Sequence, residues 1–232
     1  MNQPVVIVGT PRSGTTLLAS ILSCCGISSG LSDRDWNPSS GYYEHPLLIS
    51  CYADLKKSRL LANYSDSLSN YFRSRALQKL KKLSSQAQLF KFPLLSFMLP
   101  PLLRQLGFKP ITIVIYRPFS HYANSYFKLR PYISYFEIKK IFLETYYQSL
   151  LLPSIGTTLF LSYDELCLSS EIPQFAVMKN HLNVDEIKLI QCRNSLVRLS
   201  SRSRDLLFED SECDSLFDIL SEKSSIPDFP QC

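Results

Sequence analysis

Residues 5–23, VVIVGTPRSGTTLLASILS, restrict the fold of this chain more than any other stretch. A short apolar run rich in β-branched residues ends at Gly9 and Thr10, and a helical pattern follows with Leu17, Leu18, Ile21 and Leu22 on one stripe. An apolar run of that length reads as a parallel strand buried on both faces, and parallel strands need crossover connections. The helix is expected over about 15–25, closed by Gly26. Gly9 and Gly14 have the spacing of a nucleotide-binding loop, but that pattern requires a lysine directly after the second glycine. This chain has Thr15 and Thr16 there, and its basic residue, Arg12, lies inside the loop.

The strand–helix alternation continues downstream. AQLFKFP reads as a second strand stopped by Pro93, KPITIVIYRP as a third ended by Pro118, and TTLFLSYDEL as a fourth, with Asp164 capping a short helix. Helical spacing predicts helices from near Glu44 through residue 58, over about 67–83, over about 119–129 and over about 134–151. LLSFMLPPLLRQLG is expected to be a helix interrupted by Pro100 and Pro101. The predicted fold is α/β, a P-loop-type central parallel sheet flanked by helices on both faces, with ligands at the carboxyl ends of the strands. Residues 1–232 are expected to form a single domain whose part from about 172 is helical.

Composition narrows the function. Apolar residues make up 45% of the chain and charged residues 19%, which is globular rather than disordered. A net charge of +5 is mild for a nucleic-acid binder and suits anionic ligands. No apolar stretch approaches the ~20 residues of a membrane span, and no secretory leader pattern is present. The seven cysteines include no C-x-x-C pair, so reduced and mostly buried thiols in a cytoplasmic protein are expected. For vicinal Cys24 and Cys25 the readings are two core residues at a helix end, or a redox-active pair. His45, His121 and His181 are isolated in sequence, so no metal site is expected.

A strand leading through a tight loop into a helix start gathers backbone N–H groups around one point, an anion site whatever the side chains are. Gly9 lets the chain turn, Gly14 lets backbone approach a ligand, and Thr15 and Thr16 add hydroxyl donors. Arg12 is placed to stabilise charge developing in group transfer. With no Walker lysine and no clear strand-end aspartate for Mg²⁺, the loop is read as built for an anion without a metal ion.

GTPRSGTTLLASIL resembles the 5′-phosphosulfate loop of the sulfotransferase family, whose sulfuryl donor is 3′-phosphoadenosine-5′-phosphosulfate (PAPS). IVIYRPFSHYANSYFKL, with Arg117 and then Ser125 eight residues later, is similar to that family's 3′-phosphate signature. NPSSGYYEHPLL resembles, with one extra residue before Gly41, the N-P-x-G-Y-x-E segment of bacterial-type members. LFKFP falls where those members carry K-D-P, with Phe92 replacing the acidic residue and Leu94 standing where an arginine often follows. LSYDEL is similar to the family's late strand and its tyrosine, so the resemblance covers roughly residues 4–190.

The resemblance implies that Pro11, Arg12, Ser13, Gly14, Thr15 and Thr16 hold the donor's 5′ side, and that Arg117 and Ser125 grip its 3′-phosphate. It implies Arg12 as the group stabilising the leaving phosphate and Glu44 as general base. Asp33, Asp35 and His45 are rivals for the base, and capping or lining the next helix is the other reading of Glu44. Tyr163 is either an adenine contact or a core tyrosine, Lys91 a pocket or a surface lysine, and His121 structural or cofactor-adjacent. The glycine-rich R-K-G segment that closes over the 3′-phosphate in cytosolic members is missing. Arg198, Arg202 and Arg204 are its candidate substitutes, with a solvated surface as the alternative. Tyr42, Tyr43, Tyr126, Tyr132, Tyr135 and Phe136 are read as cleft lining or as core. The expected activity is sulfuryl transfer to a hydroxyl or amine of a carbohydrate, lipid or small metabolite. The alternatives are a catalytically degenerate nucleotide-binding member or a P-loop nucleotide kinase. No nucleic-acid partner is expected.

Overall fold

The computed structural model describes residues 3–31, 44–169, 171–197 and 210–225. Four strands, β1 (Val5–Val8), β2 (Leu89–Lys91), β3 (Ile111–Tyr116) and β4 (Thr158–Ser162), form one parallel sheet in the order β2-β1-β3-β4. Val5 pairs with Leu89 on one side and Ile111 on the other, and Tyr116 pairs with Ser162. Every strand residue is buried. That is why the strands read as continuous apolar runs instead of alternating ones.

Alternate residues feed two cores. Val6, Val8, Phe90, Val114, Tyr116 and Phe160 pack under α2 (Pro46–Leu61), α3 (Asp66–Ser84), α4 (Leu99–Gln105), α5 (Phe119–Leu129), α6 (Tyr135–Ser149) and α10 (Ser211–Ser225). Val5, Ile7, Leu89, Ile113, Ile115 and Leu161 pack under α1 (Thr15–Cys24), α7 (Tyr163–Leu168), α8 (Pro173–Leu182) and α9 (Glu186–Leu196). The expected central parallel sheet flanked by helices is present. The chain leaves β1 toward β2 and later returns to the other side of β1 for β3. Connections diverging on either side of β1 open a crevice at the carboxyl ends of β1 and β3, where ligands of such sheets bind.

Three expectations need correction. Pro100 and Pro101 do not interrupt a helix: they lie in the first turn of α4, after a separate 3₁₀ turn at Ser96–Met98. The N–H groups of a first turn have no helical partner, so proline loses nothing there. Asp164 is not the cap of α7. Ser162 is, its Oγ accepting from Asp164 N at 3.2 Å while Glu165 accepts from Ser162 N at 3.3 Å. The cysteines are not all reduced. Cys24 at the end of α1 and Cys192 on α9 form a disulfide across 168 positions, their Cα atoms 6.0 Å apart. Cys24 is accordingly no core residue but an exposed one, whereas Cys25 is buried. Among the described residues no helix is long and apolar enough to cross a membrane.

Candidate active site

Close approach governs the loop after β1. A Cβ on Gly9 would lie 2.6 Å from both Ile115 O and Ser13 Oγ. Gly14 has φ +100°, and a Cβ there would meet the Tyr163 ring at 2.2 Å. Both positions therefore exclude a side chain, and Gly14 also needs glycine's freedom at positive φ. Arg12 takes φ 75° as well, an unusual and strained conformation for a non-glycine residue. Ser13 is fully buried and turns inward, its Oγ donating to Thr10 O at 2.7 Å. Tyr146 of α6 forms the floor, donating to Ile115 O at 3.0 Å and meeting Thr10 Oγ1 at 3.3 Å. Burial, relieved only in part by Thr10 and Ser13, raises the Tyr146 phenol above its ordinary range, so it stays a neutral donor.

Helix α1 starts at Gly14 with no side-chain cap and no acidic residue in its first turn. α4, α5 and α8 also lack a side-chain cap, whereas α2, α3, α6, α7 and α9 are capped by His45, Ser65, Ser134, Ser162 and Asp185. Thr15 is buried and Thr16 half-buried in that first turn, and Pro11 is half-buried in the loop. An uncapped N-terminus carries free N–H groups and the positive end of the helix dipole.

The second motif joins the first. Arg117 follows β3 and donates from Nη1 to Arg12 O at 3.1 Å, with its guanidinium 4.9 Å from the Tyr163 ring centroid. Arg12 donates from Nε to Ser125 Oγ on α5 at 3.1 Å. Tyr163 is thus packed against Gly14 and Arg117 as a wall of the loop. His121, in the first turn of α5, lies 3.9 Å from Asp164. Two guanidiniums and an uncapped helix start share one crevice, an arrangement chemically suited to anions.

Beside it, Lys91 at the end of β2 donates from Nζ to Glu44 Oε1 at 2.8 Å. Lys91 is 2% exposed, so it is no surface lysine. Burial pulls its ammonium below the ordinary lysine range, and the Glu44 carboxylate opposes that shift. Glu44 does not cap α2. His45 does, its Nδ1 accepting from Leu47 N at 3.1 Å. An Nδ1 lone pair committed to a cap leaves the other ring nitrogen to carry the proton, which disfavours His45 as a base. Phe92 is turned into the core, edge-on to Tyr52 with centroids 5.6 Å apart, where a carboxylate would lose its hydration. Leu94 is exposed.

Of the six aromatics read as cleft or core, Tyr126 is core, Tyr135 packs edge-on to Phe119, and Tyr132 and Phe136 are exposed. Tyr42, Tyr43, Asp33, Asp35, Gly41, Arg198, Arg202 and Arg204 lie outside the described residues. Among the described residues no group of three or more His, Cys, Asp or Glu could hold a metal ion. Sequence reasoning missed Tyr146. Its only signal is a phenol in the apolar α6 stripe formed with Ile138 and Phe142.

A model of the sulfotransferase family matches residues 4–134. The chain is similar in fold to the sulfotransferase domain of the olefin synthase of Synechococcus PCC 7002, at 17% identity and TM-score 0.51. That likeness covers 100% of this chain and 91% of the other. None of the curated proteins matches. The matched segment spans more than half of the chain and holds the loop, Glu44, Lys91, Arg117 and Ser125, and the chain belongs to the sulfotransferase family.

Proposed function

We propose that this protein moves a sulfuryl group from PAPS to a hydroxyl or amine acceptor, working as one unit over residues 1–232. The observation that carries the reading is the contact of the two motifs: Arg12 reaches Ser125, and Arg117 reaches the backbone of Arg12. In this reading residues 9–16 are a P-loop-type anion site. Pro11, Ser13 and Gly14 shape the loop around the donor's 5′ side, the first N–H groups of α1 with Thr15 and Thr16 donate to it, and Arg12 balances charge on the leaving phosphate. Arg117 and Ser125 hold the 3′-phosphate. Tyr163 fixes Arg117 and seals the loop, which leaves the adenine contact to the exposed part of its ring.

Glu44 is the proposed base. Lys91 holds its Oε1, leaving Oε2 to take the acceptor's proton. In the transfer, the acceptor oxygen or nitrogen forms its bond to sulfur as the bond from sulfur to the 5′-phosphate oxygen breaks. The proton goes to Glu44, and the electron pair leaves with adenosine 3′,5′-bisphosphate. Two guanidiniums aimed at the phosphates do by charge what Mg²⁺ does in a nucleotide kinase. Transfer of labelled sulfate from PAPS to pooled carbohydrate, lipid and small-molecule acceptors tests the reading. Nucleotide binding with no transfer to any pool would instead mark a member that binds without catalysis.

A further inference from the structure

Hairpin α2–α3 combines a polar seam with exposed apolar side chains over its distal half. Near the sheet it packs conventionally, burying Leu48, Cys51, Ala76, Leu80 and Leu83. Beyond Cys51 the only buried residues of α2 are Asp54 and Ser58, and before Ala76 α3 buries none. The seam there is polar: Ser58 and Ser69 exchange hydrogen bonds at 3.0 and 3.1 Å, and Asp54 takes Lys79 at 2.6 Å. Leu55, Leu61 and Phe72 are half-buried, but four other large side chains face outward, with Leu60 63%, Tyr64 85%, Leu68 50% and Tyr71 55% exposed. A helical pair normally buries such residues and exposes its polar ones.

Charge is concentrated on the same element. Residues 46–85 hold eight Lys or Arg against two Asp, net +6, while the rest of the chain holds 17 against 18, net −1. Lys56, Lys57, Arg59 and Arg73 are exposed around the apolar tip. Lys57 lies 5.4 Å from the Phe72 ring, and Arg75 lies 5.6 Å from that of Tyr71. Leucines and tyrosines rimmed by long cationic side chains are what a bilayer interface accepts: the apolar groups enter the acyl boundary and the cations meet anionic headgroups.

We propose that the tip of the α2–α3 hairpin, carrying Leu60, Tyr64 and Leu68, docks on an anionic lipid bilayer. A second copy of this face does not fit, because it would set like charge against like: residues 52–75 hold five Lys or Arg against two Asp, net +3. Nor does the acidic outer face of α10, which offers the tip only Ile219 as an exposed large apolar partner. Because α2 begins next to Glu44, docking would tether the candidate site to the membrane surface without placing the hairpin in the reaction.

Sedimentation of the full chain with vesicles of phosphatidylcholine alone and of phosphatidylcholine with phosphatidylglycerol tests this directly. The expected result is about tenfold or greater preference for the anionic vesicles, weakening as salt rises. The variant Leu60→Ser/Tyr64→Ser/Leu68→Ser, altered only at exposed positions, should keep the wild-type melting temperature and lose that preference. Lys56→Gln/Lys57→Gln/Arg59→Gln should flatten the salt dependence. Wild-type protein that binds neither vesicle, or a serine variant that binds as wild type does, overturns the proposal. So does light scattering that shows the tip joining copies of the chain to one another.

Discussion

Arg12 donates from Nε to Ser125 Oγ at 3.1 Å, a side-chain contact between residues 113 positions apart that joins the loop after β1 to the helix after β3. The two segments read separately in the sequence as anion-binding are therefore parts of one surface. The loop keeps its shape because Gly14 lies under the Tyr163 ring and Tyr163 lies under Arg117.

Substituting Gly14 should disrupt that stack. In Gly14→Ala the added methyl meets the Tyr163 ring at 2.2 Å in a backbone held at φ +100°. A loss of more than about 1 kcal/mol of stability is expected, together with weaker nucleotide binding. Denaturant unfolding and calorimetry on the same samples check both, and unchanged nucleotide affinity would separate the loop's geometry from its function.

Glu44→Gln should lose transfer while retaining nucleotide affinity, since Glu44 touches Lys91 and neither Arg12 nor Arg117 is among its hydrogen-bond partners. Removing the charge from one side of a buried pair costs up to about 3–5 kcal/mol, so melting must be followed in parallel. The double variant Glu44→Gln/Lys91→Met should recover part of that stability and none of the activity. Normal turnover by folded Glu44→Gln would place the base elsewhere.

How much of this was readable in advance depended on sequence separation. The strands were plain because each is buried on both faces, and α5 begins where Pro118 ends β3. Arg117 and Ser125 were found by their local spacing. The pairing of Lys91 with Glu44, 47 positions apart, was not readable, because only the folded chain brings the residue before α2 to the end of β2. Asp164 and Ser162 are equally good caps by composition, and only the end of β4 chooses between them. Phe92 departs from the family pattern for a physical reason visible only in three dimensions, its contact with Tyr52 in the core.

The Cys24–Cys192 bond belongs to that same long-range class. Packing of α1 on α9 brings the two together, and no local motif announces it. Peptide mapping without reductant should recover this crosslink, and its removal by Cys192→Ser should cost about 2–4 kcal/mol. Burial pushes the Cys51 thiol up to about 11 and the Cys213 thiol, helped by Asp210, up to about 12, so both should label slowly in the native protein. Recovery of both as free thiols only after unfolding, alongside an intact Cys24–Cys192 peptide, is the expected pattern.

Acid should loosen α10 through Asp210. Burial pushes its carboxyl up, but hydrogen bonds from Lys139, Tyr135 and the Cys213 N–H outweigh that and bring it down to about 2, against 3.8 in the unfolded chain. A carboxylate with a depressed native pKa contributes stability in full above 3.8 and loses it as pH falls toward 2. Urea midpoints across that window should fall less steeply for Asp210→Asn than for wild type. Equal slopes would show that the ion pair does not anchor the helix.

Calorimetric titration with adenosine 3′,5′-bisphosphate tests the two-anion site most directly. Wild-type protein should bind it without Mg²⁺ and bind adenosine 5′-monophosphate more weakly. Arg117→Ala and Ser125→Ala should remove that difference, and Arg12→Ala should weaken both ligands about tenfold to a hundredfold, the loss expected for a charged hydrogen bond. Equal affinity for the two nucleotides, or binding of ATP that depends on Mg²⁺, would contradict the account.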